Sequence, residues 1–455
     1  MSELHPLDWG FMELEDTDRH ISLGIGAAAI VEGPAPTRAE FIAWLQQRLD
    51  RYERLRQRVR RSRLDLTAPT WEEDPHFDLA HHIRWTALPA PCDESTLQEL
   101  IATELEQRLD RDHPLWQCVV VEQLSSNRWA LIVKAHHSMV DGVSGITLFE
   151  QLCDPPDDGP ATEPKPAPVP SGNGLLDLVA KGISLPVTAP RFAVAMMRSL
   201  VPVVFAAVTP SPASSLNGPI GQQRRYVVAR ASMTEVREIG AVFGVSVNDV
   251  ALAAVTGAYR TILHQRGEQP TAEKVRILVP VSTRPTDATF VMDNRISALL
   301  PYLPVELVDP VERLRAIHQR VSHHRARGEA EAERSMLAMA EALPFAVGAW
   351  AFRLAGHFPQ HSVAALATNV PGPRRQLTLN KREVLEILPC IPIAMRLRTT
   401  IAILSYHDRL FFGITGDYDS TPDIALIAEG IESGIAQLLA QAHLTRISRA
   451  RDSIE

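Results

Sequence analysis

His136 and His137 stand side by side in the stretch Lys134-Ala-His-His-Ser-Met-Val-Asp-Gly-Val-Ser-Gly145, with a carboxylate at Asp141 and glycines at Gly142 and Gly145. An imidazole titrates near neutrality, so it can take a proton from an alcohol or amine once its tautomer and orientation are fixed. Successive side chains of extended backbone point to opposite faces, and the two rings cannot serve one reacting atom while a strand persists. One imidazole is therefore the base and the other a structural neighbour. Asp141 either orients that base or folds back onto a distant arginine and pins the loop, with Gly142 permitting the turn.

The elements that must position this stretch are a strand and a helix. Trp129 to Ala135 is an apolar run of strand length, and Ser144 to Cys153 reads as a helix, so the histidines sit at a strand-loop-helix junction. Upstream, Phe41, Ile42, Leu45, Leu49, Tyr52 and Leu55 predict one helix over Arg38 to about Val59, its arginine-rich face solvated. Phe77 to Trp85 predicts a strand, and Leu97 to Leu109 a second helix ended before Pro114. The pair His81-His82 has no cysteine or carboxylate at a recognised ligand spacing, and no metal is assigned to it. Pro114-Leu115-Trp116 introduces the strand Cys118 to Glu122, with the tryptophan as a buried support.

Asp154 to Gly172 is too rich in proline, charge and small residues to bury much apolar area, and reads as an exposed linker. Leu175 to Val208 follows as apolar helical stretches that either pack on the body or lie on lipid. A strand from Arg225 to Ala229 opens the second half. Ser232 caps a helix closed by Gly244, and Ser246 with Asp249 caps the long helix that carries Asn248. An amide such as Asn248 beside a helix N-terminus can orient a carbonyl or bind an oxyanion. Two further strands, Val275 to Val281 and Ile296 to Leu300, flank Arg284 and Asp293-Asn294-Arg295, and aromatic residues Phe345, Trp350 and Phe352 mark a later stripe. The turn Asn369-Val-Pro-Gly-Pro373 precedes Arg374-Arg375. A hairpin of Thr399 to Ser405 and Leu410 to Gly416 and an amphipathic helix from Ile424 to Leu439 end the pattern, with the tail after Ser448 expected to fray.

The His-His-x-x-x-Asp-Gly pattern resembles the active-site motif of the large acyltransferase superfamily that includes chloramphenicol acetyltransferase and peptide-synthetase condensation domains. With Pro-Leu-Trp, Asn-Asp and Asn-Val-Pro-Gly-Pro in the same order, the chain resembles the bacterial wax ester synthase/diacylglycerol acyltransferases over almost its whole length. The resemblance implies an α/β fold of two acetyltransferase-like sandwich domains. It implies His137 as general base, with His136, Gly142 and Asn248 beside it and Asp141 mainly structural. Arg295 is then the preferred partner of Asp141 and Arg284 the second choice, while Asp249, Pro114, Trp116 and Asn369 give support. Aspartate stands at position 293 where the family has glycine, and Ala394-Met-Arg-Leu-Arg398 replaces a commonly glycine-rich approach to the last hairpin.

The implied substrates are acyl-CoA and a fatty alcohol or diacylglycerol, with no cofactor and no metal. Arg224, Arg225, Arg284, Arg374 and Arg375 are candidates for the CoA phosphates, since guanidinium forks suit phosphate oxygens. Two rival readings are a condensation-type transferase with a carrier-bound donor or an amine acceptor, and a non-catalytic lipid-body protein. No G-x-S-x-G elbow is present to supply a serine nucleophile. The expected partition is residues 1–153, a linker with apolar helices over 154–216, and 217–455.

Composition is that of an ordinary globular chain long enough for two domains: 455 residues, 45% hydrophobic and 22% charged. A formal net charge of −8 gives no global attraction for nucleic acid. Four cysteines without paired spacing fit a reducing cytosol, and the first residues lack the basic and apolar regions of a secretory leader. The expected location is cytoplasmic, with a peripheral place on the inner membrane or lipid bodies as the alternative.

Overall fold

Strand-length apolar runs and helix caps set the elements locally, and pairing between distant runs assembles them. The computed structural model describes residues 2–62, 67–155, 214–282, 296–326, 345 and 360–452. Its first half contains β1 (Ser2–Glu3), α1 (Pro6–Thr17), β2 (Gly24–Glu32), α2 (Arg38–Leu49), β3 (Gln57–Arg60), β4 (Thr70–Glu73), β5 (Ile83–Thr86), α3 (Glu94–Glu106), β6 (Trp116–Leu124), β7 (Arg128–His136) and α4 (Gly142–Leu152). The second half contains β8 (Arg224–Ser232), α5 (Met233–Phe243), α6 (Val247–Gln265), β9 (Ile277–Ser282), β10 (Ile296–Leu299), α7 (Pro310–Ala326), β11 (Ala365–Val370), β12 (Thr378–Leu379), β13 (Arg382–Cys390), β14 (Thr399–Tyr406), β15 (Arg409–Asp417) and α8 (Ala425–Asp452).

Two six-stranded sheets carry the structure, in the orders β12-β13-β2-β7-β6-β5 and β10-β9-β11-β14-β15-β8, beside a small sheet β1-β4-β3. Each large sheet is mixed. In the first only β5 and β6 run parallel, and in the second β11 runs parallel to both β9 and β14. The α/β architecture with two sheets and two apolar cores matches the expectation.

The partition does not follow the chain as cleanly as expected. Residues 378–390 belong by sequence to the second half, but β13 pairs antiparallel with β2, Cys390 opposite Gly26 and Leu388 opposite Ala28. Leu388, Leu404, Tyr406 and Phe411 accordingly pack into the core of the first half. Non-local strand pairing of this kind leaves no signal in local periodicity.

Four local expectations are corrected. The first long helix stops at Leu49, because Tyr52 and Leu55 are held by tertiary contacts: the Tyr52 hydroxyl donates to Gln151 at 2.6 Å, and the Leu55 carbonyl accepts from the Trp116 indole at 2.7 Å. Its arginines are not simply solvated, since Arg48 lies 4.5 Å over the Trp44 ring and pairs with Asp154 at 2.6 Å. Between Phe77 and Trp85 only Ile83–Thr86 is strand, preceded by a 3-10 turn at Leu79–His82 capped by Asp78. The last helix runs on to Asp452. The expected apolar helices of 175–208, Arg284, Arg295 and the aromatic stripe except Phe345 lie outside the described residues. Among the described residues, no single helix is long and apolar enough to cross a membrane.

The second core is sealed by close packing of α8 on α6. A Cβ on Gly430 would lie 2.9 Å from both Cα and Cβ of Ala258, so the helices could not keep this separation. Gly430→Val is expected to lower stability by roughly 1–3 kcal/mol, while Ala at the neighbouring exposed Glu429 leaves it nearly unchanged. Chemical denaturation of the two variants checks this.

Candidate active site

The strand β7 ends where the chemistry begins. His136 is its last residue, opposite Gly24 in β2. The His136 amide donates to the Leu115 carbonyl on one side at 2.9 Å, and the His137 amide donates to the Leu23 carbonyl on the other at 2.9 Å. Pro114-Leu115-Trp116 thus supports the histidines directly through its middle residue. Trp116 is buried, its indole bonded to Leu55 and its carbonyl accepting from His82 Nδ1 at 2.8 Å.

The two imidazoles have different surroundings. His136 is 1% exposed. The Ser138 amide donates to its Nδ1 at 3.1 Å, and the Ser138 hydroxyl lies 2.7 Å from the same atom. An Nδ1 that accepts an amide proton places the ring's own proton on Nε2, which faces Glu15 Oε2 at 3.6 Å. His137 is half-buried and stacks on Phe11, with ring centroids 4.1 Å apart and planes inclined by 27°.

Phe11 and Glu15 are four residues apart on α1 and so share one face of that helix. One turn of a helix therefore braces both histidines. Glu15 is almost fully buried: Oε1 accepts from the Leu23 amide at 2.9 Å and Oε2 from Arg111 at 2.6 Å. Burial alone would raise its carboxyl, but the facing His136 ring, the Leu23 amide and Arg111 outweigh it and hold the group down at about 2. The sequence reading missed Phe11 and Glu15. The local signal is faint, because Glu13 and Glu15 in a short helix look like solvated acids, although both are buried.

Asp141 is the N-cap of α4. Its Oδ1 accepts from the Ser144 amide at 2.7 Å and from the Ser144 hydroxyl at 2.6 Å, and the Asp141 amide donates back to Ser144 Oγ at 3.0 Å. A carboxylate at this place satisfies an orphan amide and complements the positive end of the helix. The structural role expected of Asp141 has this cap as a visible part, and Ser144 is a partner the sequence reading did not name.

Gly142 brings the other half of the molecule to the loop. A Cβ there would lie 2.9 Å from Cγ2 of Val370, which leaves no room for a larger side chain without displacement. Val370 ends β11, and its neighbour Asn369 donates from Nδ2 to Asn248 Oδ1 at 3.1 Å. Asn248 is the second residue of α6, whose capping box is closed by Ser246 and Asp249. Asp249 also meets His318 Nδ1 at 2.9 Å. Three separate motifs thus converge across the two sheets: the histidine loop, the Asn-Asp helix start and the Asn-Val-Pro-Gly-Pro turn.

The chain matches the wax ester synthase/diacylglycerol acyltransferase catalytic domain over residues 4–251 and the WS/DGAT C-terminal domain over 292–439. It belongs to the wax ester synthase/diacylglycerol acyltransferase family. Among curated relatives, a Mycobacterium tuberculosis protein named as a probable diacylglycerol O-acyltransferase, tgs1, is 42% identical over 460 residues, covering 100% of this chain and 99% of the relative. Among solved structures, the wax ester synthase/diacylglycerol acyltransferase from Marinobacter aquaeolei VT8 superposes with a TM-score of 0.70 at 27% identity, covering 97% of this chain and 100% of that one. The first condensation domain of the calcium-dependent antibiotic synthetase shares the fold, with a TM-score of 0.59 at 15% identity, covering 96% and 97%.

Among the described residues, the arginines expected to hold CoA phosphates have separate partners, and Arg284 lies outside them. Arg224 is buried, and its guanidinium donates to the backbone carbonyls of Gly221, Gln223 and His20, so it is a structural tie between the halves. Arg225 bonds the Tyr418 carbonyl and lies over that ring at 3.9 Å. Arg375 pairs with Glu150 at 3.4 Å, and Arg374 is exposed. A wholly apolar cavity of about 50 Å³ lies under the histidine loop, lined by Met139, Val140, Leu148, Phe149, Leu49 and Trp116.

Glu15 gives a stability prediction with a definite sign. Its folded pKa lies below the ordinary 4.5, so its contribution is fully present above 4.5 and is lost as pH falls towards about 2. The full effect is roughly 3 kcal/mol. Glu15→Gln is expected to be less stable at pH 7 and to lose less stability than the wild type between pH 4.5 and 2, as followed by denaturation at a series of pH values.

Proposed function

We infer that the protein transfers a long-chain acyl group from acyl-CoA to a hydroxyl acceptor, diacylglycerol first and a long-chain alcohol second, with His137 as the general base. As a member of its family it is an acyltransferase, and an acyl donor with an alcohol or diacylglycerol acceptor follows from that. The preference for diacylglycerol rests on the name of its 42% identical relative.

The single observation that carries the choice of base is the state of His136. Its Nδ1 is engaged by Ser138, its Nε2 faces the Glu15 carboxylate, and it is sealed from solvent. His137, half-buried one residue beyond the strand, is the imidazole of the pair that a substrate can reach.

In the proposed step His137 takes the acceptor's hydroxyl proton as the oxygen attacks the thioester carbonyl. The tetrahedral oxyanion collapses, the carbon–sulfur bond breaks, and the same proton goes to the leaving thiolate to give free CoA and the ester. Base and acid are one residue, so no covalent acyl-enzyme is needed. Asn248, held by Asn369 at the start of α6, is suited to orient the carbonyl or bind the oxyanion. The loop geometry is kept by Asp141 and Gly142 without either touching the transferred proton.

Loss of a general base costs about 10²–10⁴-fold in rate. His137→Ala is expected to lose acceptor-dependent thiol release from palmitoyl-CoA by that factor, measured with a diacylglycerol, with hexadecanol and without acceptor, at unchanged thermal stability. Equal turnover by a folded His137→Ala protein would remove His137 from the role. Wild-type inactivity with every acceptor would point instead to a carrier-bound donor.

A further inference from the structure

The histidine pair at positions 81 and 82 is split by the fold. His82 turns inward, buried, with Nδ1 on the Trp116 carbonyl and its ring stacked on Trp116 at 4.5 Å. His81 turns outward at the end of the 3-10 turn and meets residues about thirty positions further on. Its ring centroid is 4.3 Å from that of His113. One ligand atom each from His81, His113 and Asp110 lie within 4.8 Å of one another.

We propose that His81, Asp110 and His113 bind one divalent late first-row metal ion of the zinc class, which clamps the loop of residues 107–113 to the 3-10 turn before β5. This goes beyond acyl transfer and does not depend on it.

Two imidazoles and a carboxylate are a donor set for zinc and its neighbours and a poor one for magnesium or calcium, which take oxygen ligands. The supporting residue is also in place. Asp74, 4% exposed, has Oδ2 at 3.4 Å from His113 Nδ1 and Oδ1 held by the His76 amide at 3.0 Å. A carboxylate on one ring nitrogen of a ligating histidine fixes its tautomer and leaves the other nitrogen for the metal. Arg58 of β3 reaches the same loop, donating to the Asp112 carbonyl at 3.4 Å, and is itself paired with Glu72 at 3.0 Å. Water would complete the coordination, since His81 and Asp110 are exposed.

The clamped loop is not an idle one. It carries Arg111, which grips Glu15 at 2.6 Å, and it leads through Pro114 into the strand beside the histidines. A metal here restrains the segment that holds the Glu15 carboxylate in place. It takes no part in the chemistry.

The test uses the untagged full-length protein stripped with a chelator and titrated with zinc by calorimetry, with cobalt(II) absorption as a second readout. The expected result is one equivalent of zinc bound, visible cobalt d–d bands, a rise in Tm on zinc addition, and no competition from magnesium. His81→Ala and Asp110→Asn, both at exposed positions, are expected to abolish the bands and the Tm rise while remaining folded. Asp74→Asn is expected to weaken binding about 10–100-fold. His407→Ala, an exposed histidine elsewhere, is expected to bind as the wild type does. If His81→Ala and Asp110→Asn bind zinc as tightly as the wild type, or if the wild type takes up no zinc, the proposal is wrong.

Discussion

A single buried carboxylate holds the reactive corner of this molecule together. Glu15 receives the Leu23 amide on one oxygen and Arg111 on the other, and the second oxygen also faces His136. Leu23 in turn accepts the His137 amide. Taking a carboxylate out of water is costly unless charge and donors surround it, and here they do. The consequence is geometric: α1, the end of β7 and the loop after α3 cannot shift independently, because each supplies one of the groups that keep the charge satisfied.

The division of labour between the adjacent histidines follows from that constraint. One imidazole is part of the buried network and cannot be spared, while the other projects past the strand end against Phe11. The second half of the molecule then closes on this fixed corner through small contacts, Val370 against Gly142 and Asn369 with Asn248. Arg230, reaching both Glu94 of the first half and Glu386 of β13, and Arg224 on the His20 carbonyl tie the halves elsewhere.

The parts of this arrangement that are written locally could be read from the sequence. The strand before His136, the helix after Asp141, the Ser246–Asp249 cap and the final hairpin all lie within a few residues of the signals that specify them. The motif residues His136, His137, Asp141, Gly142, Asn248 and Asn369 were also recognisable, because family resemblance preserves their order along the chain. What was not legible depends on residues far apart. Glu15 and Phe11 matter because of what α1 packs against, which helical periodicity does not state. Arg224 read as a candidate for the CoA phosphates and is instead buried on backbone carbonyls, partners that have no sequence signature. The grouping of His81 with Asp110 and His113 likewise joins two loops whose spacing matches no familiar ligand pattern.

The strand Arg382–Cys390 has a further consequence, for biosynthesis. Until the ribosome has passed residue 390, β2 has a partner on one side only, and its Ala28, Ala29, Ile30 and Val31, almost fully buried in the finished protein, border an open edge. An unpaired apolar edge is a template for pairing with other chains. The nascent first half therefore depends on late sequence for its solubility, and contacts this distant in sequence are slow to form. Fragments cut at the linker would inherit the same open edge, so the boundary that seems natural in the sequence is a poor place to divide the molecule.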